Sequence, residues 1–151
     1  DVMALPKIAI NFEGPKIVAP QRSKSNTFGY NEIPWYAASD VFFITTKENS
    51  YDLKYILGLL NSHLYYFWLY NKGKRKGEML ELIAKPLSEI PIKKANTIQR
   101  QCIIDLVDAI IDKKKHDNKA DTSVLEREID QKVYELYGLS PEEIAVIEHG
   151  N

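Results

Sequence analysis

Asp52-Leu53-Lys54-Tyr55-Ile56-Leu57-Gly58-Leu59-Leu60-Asn61-Ser62, continued by His63-Leu64-Tyr65-Tyr66-Phe67-Trp68-Leu69-Tyr70, decides how this chain folds. Leu53, Ile56, Leu57, Leu60, Leu64 and Phe67 recur at three- and four-residue spacing, which predicts one amphipathic helix over residues 51–70. Ser50 is the expected N-cap, and Asp52 falls in the first turn, where a carboxylate favours the helix dipole. From Leu64 to Tyr70 the pattern is apolar nearly all round. That half must be deeply packed or covered by a partner domain.

Strand-like segments precede this helix. Lys7-Ile8-Ala9-Ile10-Asn11-Phe12 and Ile17-Val18-Ala19 are short, apolar and β-branched, and they stop at Glu13-Gly14-Pro15 and at Pro20. Residues 21–26 are polar and turn-rich, before Thr27-Phe28-Gly29-Tyr30 resumes alternation. Trp35 to Ala38 and Val41 to Thr45 are further strand candidates, with Asp40 as the turn between them. After the helix come a glycine-flanked basic loop, Asn71 to Gly77, and a last strand-like piece, Ile90-Pro91-Ile92. The fold class is α+β: a small, mainly antiparallel sheet packed on a long helix, then a helical C-terminal part. That part comprises a helix over 98–111, a charged connection over 113–121, and a helix carrying Leu125, Ile129, Val133 and Leu136 that ends at Gly138. Ser140-Pro141-Glu142-Glu143 then starts a short final helix whose Ile144 and Ile147 pack back. The expected division is a unit over 1–95 and a helical extension over 96–151.

With 151 residues and 44% apolar composition, the chain can bury a sizeable core. The single cysteine, Cys102, excludes an internal disulfide, and with His63, His116 and His149 scattered it offers no metal-ligand spacing. Cys102 follows the pattern Ile98, Cys102, Ile103, Leu106 and is expected as a small buried hydrophobe. There is neither a signal peptide nor an apolar run of about 18–20 residues, so no membrane association is expected and the cytoplasm is the expected compartment. The strand-like start directly after Asp1 suggests a segment of a longer polypeptide. Net charge is −1, but it is unevenly spread. Residues 1–95 hold 13 Lys or Arg against 9 Asp or Glu, leaving +4, while 96–151 hold 7 against 12, leaving −5. Only the first part can present a positive face to phosphates.

The strongest local candidate for chemistry is the cluster Lys72, Lys74, Arg75 and Lys76. Four cations in five positions repel one another, and phosphate contact rewards each of them by counterion release. Cations at a helix C-terminus are also favoured by the dipole, so a solvated helix end is the competing reading. In the loop 21–26, Gln21, Arg22 and Asn26 can bind base edges bidentately and Lys24 can reach a phosphate or a guanine. Phe28, Tyr30, Trp35 and Tyr36 could stack on bases, although aromatics at strand spacing more often fill a core. No Gly-rich phosphate loop, no Asn-Pro-Pro-aromatic motif and no Pro-Asp…Glu-x-Lys signature is present. No catalytic residue is expected in this chain, nor a cofactor.

The order of the pieces carries a resemblance. Pro15-Lys16-Ile17, the polar loop leading to Phe28-Gly29-Tyr30, the helix Asp52 to Ser62, the basic loop, and Leu87-Ser88-Glu89-Ile90-Pro91-Ile92 before a helix opening near Gln99 or Gln101 resemble the TaqI-like C-terminal specificity domain. This is the target-recognition part of adenine-specific DNA methyltransferases and fused restriction-modification enzymes. The resemblance covers about residues 6–95, and Glu128 to Leu139 looks like the C-terminal end of the fused enzymes. It implies sequence-specific recognition of double-stranded DNA, next to a methyltransferase domain of the same polypeptide that would use S-adenosylmethionine and that, in the fused enzymes, is joined to an endonuclease. On this reading Lys16, Lys72, Lys74, Arg75 and Lys76 anchor phosphates, while Gln21, Arg22, Lys24 and Asn26 read bases. The alternative is a protein–protein docking module that uses the helical tail, with the basic loop incidental.

Overall fold

The computed structural model describes residues 12–36, 40–45 and 52–150. Six strands and six helices are described: β1 (Lys16–Pro20), β2 (Arg22–Ser23), β3 (Gly29–Asn31), β4 (Val41–Ile44), α1 (Leu53–Leu60), α2 (His63–Lys72), β5 (Lys74–Lys76), β6 (Met79–Glu81), α3 (Ala84–Glu89), α4 (Thr97–His116), α5 (Ser123–Tyr137) and α6 (Pro141–His149). The α+β class is borne out. The strands form two antiparallel sheets, ordered β3-β1-β4 and β2-β6-β5. Gln21 joins them through its backbone: its N–H donates to Asp40 O at 2.8 Å and its C=O accepts from Leu82 N at 2.9 Å. The strand expected over Lys7–Phe12 lies mostly outside the described residues, as do Ser50 and Ala37-Ala38; Trp35 and Tyr36 are irregular.

The long helix is two helices. Asp52 caps α1 by accepting from Lys54 N at 2.8 Å, and Asn61 closes it. Ser62 serves both sides of the break, because its Oγ donates to Leu59 O at 2.7 Å and accepts from Tyr65 N to cap α2. The hydrophobic spacing runs through this point unbroken, so periodicity alone could not show it. Across the break, Asn61 Oδ1 accepts from Phe28 N and Asn61 Nδ2 donates to Phe28 O, each at 2.9 Å. Asn26 Nδ2 donates to Leu60 O at 2.6 Å and to Ser62 O at 2.9 Å, satisfying carbonyls that a helix end leaves open.

Ile90-Pro91-Ile92 is extended but pairs with no strand among the described residues. Tyrosine hydroxyls hold it instead: Tyr65 donates to Pro91 O at 2.7 Å, and Tyr55 donates to Lys93 O at 2.6 Å. Tyr137 lies 2.6 Å from the Tyr65 hydroxyl. Burial, reinforced by Tyr137, pushes the Tyr65 phenol well above its ordinary range, and burial raises that of Tyr55 to about 12. Both therefore stay neutral donors.

The core runs from Ile17 and Ala19 of β1 through α1 to Ile103 and Val107 of α4 and Ile129 and Val133 of α5. Helix α4 begins with a capping box, Asn96 and Gln99, and extends to His116, further than expected. It buries Ile103, Ile104 and Val107, whereas Cys102 and Ile98 face solvent. The buried stripe is rotated by one residue from the expected one, because Ile103 and Ile104 are both apolar and hide the true phase. The end of α5 at Gly138 (φ 66°) and the Ser140–Glu143 capping box of α6 are as expected. Helix α6 buries Ile147, while Ile144 is half-buried.

Gly58 is where α1 comes closest to α4. A Cβ there would lie 2.5 Å from Ile103 Cγ2 and 3.2 Å from Val107 Cγ2. Ile103 is 1% exposed and β-branched, so it cannot swing aside. Gly58→Ala is expected to lose about 1–2 kcal/mol in urea denaturation, since overpacking of about 1–3 kcal/mol outweighs the helix-propensity gain of about 1 kcal/mol. Asp130 fastens α5 to the start of α2, accepting from His63 N at 2.8 Å and lying 2.6 Å from His63 Nδ1. This hydrogen bond raises the His63 pKa above its ordinary 6.5, against the opposing effect of burial. The protonated ring is thus favoured in the fold, and its contribution is complete below 6.5 and lost as pH rises through the folded value. The stability gap between wild type and His63→Ala should therefore be wider at pH 6 than at pH 9; an unchanged gap would show that the ring's charge contributes nothing. Asp130→Ala should cost about 1–3 kcal/mol by leaving its donors unpaired.

Candidate nucleic-acid interface

The basic segment is an ordered hairpin. β5 consists entirely of cations, Lys74-Arg75-Lys76, all exposed. It turns through Gly77-Glu78 into β6, and the φ of 62° at Gly77 suits the primed turns that close two-residue hairpins. The loop expected over 71–77 hid this strand because a run of three cations shows no apolar alternation. On its other side β6 pairs with β2, with Arg22 opposite Glu81 and Ser23 opposite Leu80. The two segments singled out separately in the sequence, 21–26 and 71–77, thus meet in one three-stranded sheet.

Register sorts the side chains. Arg22, Glu81 and Lys74 are cross-strand neighbours on one face, while Ser23, Leu80 and Arg75 share the other. Glu81 sits between two cations: Oε1 accepts from Arg22 Nε at 3.3 Å, and Oε2 is 3.3 Å from Lys74 Nζ without aligned hydrogen-bond geometry. The Lys74 ammonium, and after it the Arg22 guanidinium, hold the Glu81 carboxyl below the usual carboxylate range. Its side chain is 10% exposed, against 42% for Arg22 and 65% for Lys74. The acid therefore aligns two cations whose heads remain in reach of a ligand. Arg75 stacks over the Tyr70 ring, 4.1 Å from its centroid, and Tyr70 lies 5.9 Å from the Tyr66 ring. The stacking restricts the guanidinium before any partner arrives.

Of the expected site residues, Arg22, Lys74, Arg75 and Lys76 are brought together on this sheet. Lys72 is the exposed last residue of α2, and Lys24 is exposed in the turn after β2, with no bonded partner among the described residues. Gln21 is half-buried at the sheet junction. Two others have structural places. Lys16 has 0% exposure, its ammonium donating to Gly14 O at 2.7 Å and Ile33 O at 2.9 Å, so in this fold it is withdrawn from any phosphate. Asn26 spends its amide on the α1–α2 break, and nothing in its polar, turn-rich surroundings signals this. Glu81, Tyr70 and Tyr66 were not anticipated; an acid at the end of the hairpin Lys74–Glu81, opposite its first cation, was the available signal for the first. Phe28 is core, while Trp35 and Tyr36 are exposed on the other sheet's side, Trp35 packing edge-on against Phe43.

Among the described residues, no three His, Cys, Asp or Glu are grouped to hold a metal ion, and no helix is long and apolar enough to cross a membrane.

Comparison with known proteins places this geometry in a wider setting. Two curated relatives, the Type II methyltransferases M.HincII of Haemophilus influenzae and M.HindII of Haemophilus influenzae strain Rd, are each 33% identical to the chain over 75 residues. The match takes in 48% of this chain but only 15% and 14% of theirs, so the chain spans a small part of these relatives' length. The fold is shared with the Type IIL restriction-modification enzyme MmeI, solved in complex with DNA, at a TM-score of 0.72 and 19% identity, over 91% of this chain and 20% of MmeI. Residues 6–92, from before β1 through both sheets to the tyrosine-held segment, match the family model of the TaqI-like C-terminal specificity domain. That is more than half of the chain, and it belongs to this family.

Proposed function

We propose that the chain is the DNA-recognition part of a restriction-modification enzyme, binding double-stranded DNA through the β2-β6-β5 sheet. The observation that carries this reading is that Arg22, Lys74, Arg75 and Lys76, all exposed, stand on one three-stranded sheet built from segments about fifty residues apart in the sequence. The β5–β6 hairpin is a two-stranded β-ribbon, the form that fits the major groove, where each base pair displays its own donor and acceptor pattern. Lys72, Lys76 and Lys24 would meet phosphates, which needs little geometry. Arg22 and Arg75, held by Glu81 and by Tyr70, would present planar forks to base edges, each good bidentate contact discriminating by about 1–3 kcal/mol. MmeI, the structural neighbour, was solved with DNA, and the matched relatives are methyltransferases, which supports the reading.

In the parent polypeptide, a methyltransferase domain would bind S-adenosylmethionine and transfer its methyl group to adenine N6, with the target base turned out of the duplex. A fused endonuclease would add cleavage, and the cytoplasm would be the place of action. This chain would contribute no catalytic group; it would hold the duplex in register. The exposed Ile98, Val124 and Val146 of the C-terminal helices favour docking of that tail on another part of the polypeptide as a second role.

Fluorescence anisotropy on a random-sequence duplex across a salt series tests the interface. Changing Lys72, Lys74, Arg75 and Lys76 to glutamine should flatten the log K–log salt slope by about 0.9 for each phosphate no longer neutralised. A slope equal to wild type would overturn the reading. Glu81→Gln should release Arg22 and Lys74 from their shared anion, so non-specific duplex binding at low salt is expected to tighten; weaker binding would show that the acid's alignment of the two cations matters more than its charge.

A further inference from the structure

The acidic C-terminal part conceals a local cationic end. Helix α4 finishes Lys113-Lys114-Lys115-His116, and the helix dipole accounts for the presence of cations there but not for where they lead. Lys114 and Lys115 line a groove of about 660 Å³ together with Ser25, Asn26 and Thr27 of the loop that follows β2, beside apolar residues such as Val107, Ile110 and Ile111. Lys113 instead lies toward Asp121, whose carboxyl it helps to hold below the usual range after the dominant hydrogen bonds from Ser123. Lys114 donates to Ala120 O at 2.7 Å, which fixes its ammonium and leaves two further hydrogens to donate, and Lys115 has no bonded partner among the described residues. Ser25 and Thr27, which line the same groove, have hydroxyls 3.1 Å apart. One acid, Glu126 of α5, also lines the groove, and its Oε1 is occupied by the Thr122 hydroxyl at 2.6 Å.

The chain itself links this groove to the basic sheet. β2 is an edge strand of that sheet, and the chain leaves it through Lys24 into residues 25–27, which line the groove together with Lys114 and Lys115. We propose that Lys114 and Lys115, with Lys24 and the hydroxyls of Ser25 and Thr27, form a second phosphate-contact cluster for the same duplex, so that the backbone is gripped on either side of β2. This rests on the DNA-recognition reading above and adds a contact region in the half of the chain whose net charge argues against one.

The test measures duplex binding by the 151-residue chain across a salt series for wild type, for Lys114→Gln/Lys115→Gln, and for Lys74→Gln/Lys76→Gln. Circular dichroism melting controls for folding, and Lys114→Arg/Lys115→Arg serves as the charge-conserving rescue. The α4 variant should show a slope shallower by about 0.9 per neutralised phosphate, up to about 1.8, with the arginine pair restoring it. If the hairpin variant is shallower and the α4 variant keeps the wild-type slope, the second cluster is refuted while the recognition reading stands. A shallower slope in the α4 variant alone would support the cluster and move the interface away from the hairpin. Wild-type slopes in both, or no binding by wild type at low salt, would overturn both.

Discussion

The basic sheet is anchored to the helices by four hydrogen bonds between two asparagines and backbone. Asn61 treats the peptide of Phe28 as a strand partner would, donating to its carbonyl and accepting from its N–H, while Asn26 binds the carbonyls of Leu60 and Ser62. Each such bond contributes only about 1 kcal/mol net, yet losing one side leaves buried polar groups unpaired at about 1–3 kcal/mol. The lock ties the end of the β2 loop to the junction of α1 and α2. Since α2 leads through Gly73 directly into β5, both outer strands of the basic sheet are referenced to the same point. The helical break is the datum from which the sheet is hung.

Electrostatics then completes what hydrogen bonding positions. Arg22, Lys74, Arg75 and Lys76 on so small a sheet would repel one another, and the fold relieves this in two ways. Glu81 neutralises the Arg22–Lys74 face, and the π face of Tyr70 receives Arg75 on the other. Neither device removes the charge from solvent. Both lower the entropy that these long side chains lose on meeting a ligand.

How much of this was legible in the sequence follows from what each residue advertises. Leu53, Ile56, Leu57 and Leu60 repeat every turn, so the helix was visible; Asn61-Ser62 interrupts hydrogen bonding without interrupting that rhythm, so the break was not. Strands β1 and β4 showed as β-branched and aromatic runs, whereas β5 carries three cations whose pairing is decided by β6. Ile90-Pro91-Ile92 looks like a strand, but Pro91 offers no N–H and its carbonyl is taken by a tyrosine 26 residues away. Lys16 and Asn26 are polar residues next to loops, and only the folded chain brings backbone carbonyls to them. Seeing Arg22 and the 72–76 cluster as one region needed the β2–β6 register, which is a long-range fact.

Gln21 shows how such a domain can change what it reads. Its peptide group alone is shared between the two sheets, so any residue with a backbone N–H can make the same joint. Arg22 and the three cations of β5 are exposed, while Leu80 and Glu81 of β6 are buried. Scaffold and message are thus written in different chemical alphabets, one in main-chain amides and the other in side chains. On the proposed reading, side chains along β2 and β5 can change with little effect on stability, leaving the architecture to be inherited unchanged.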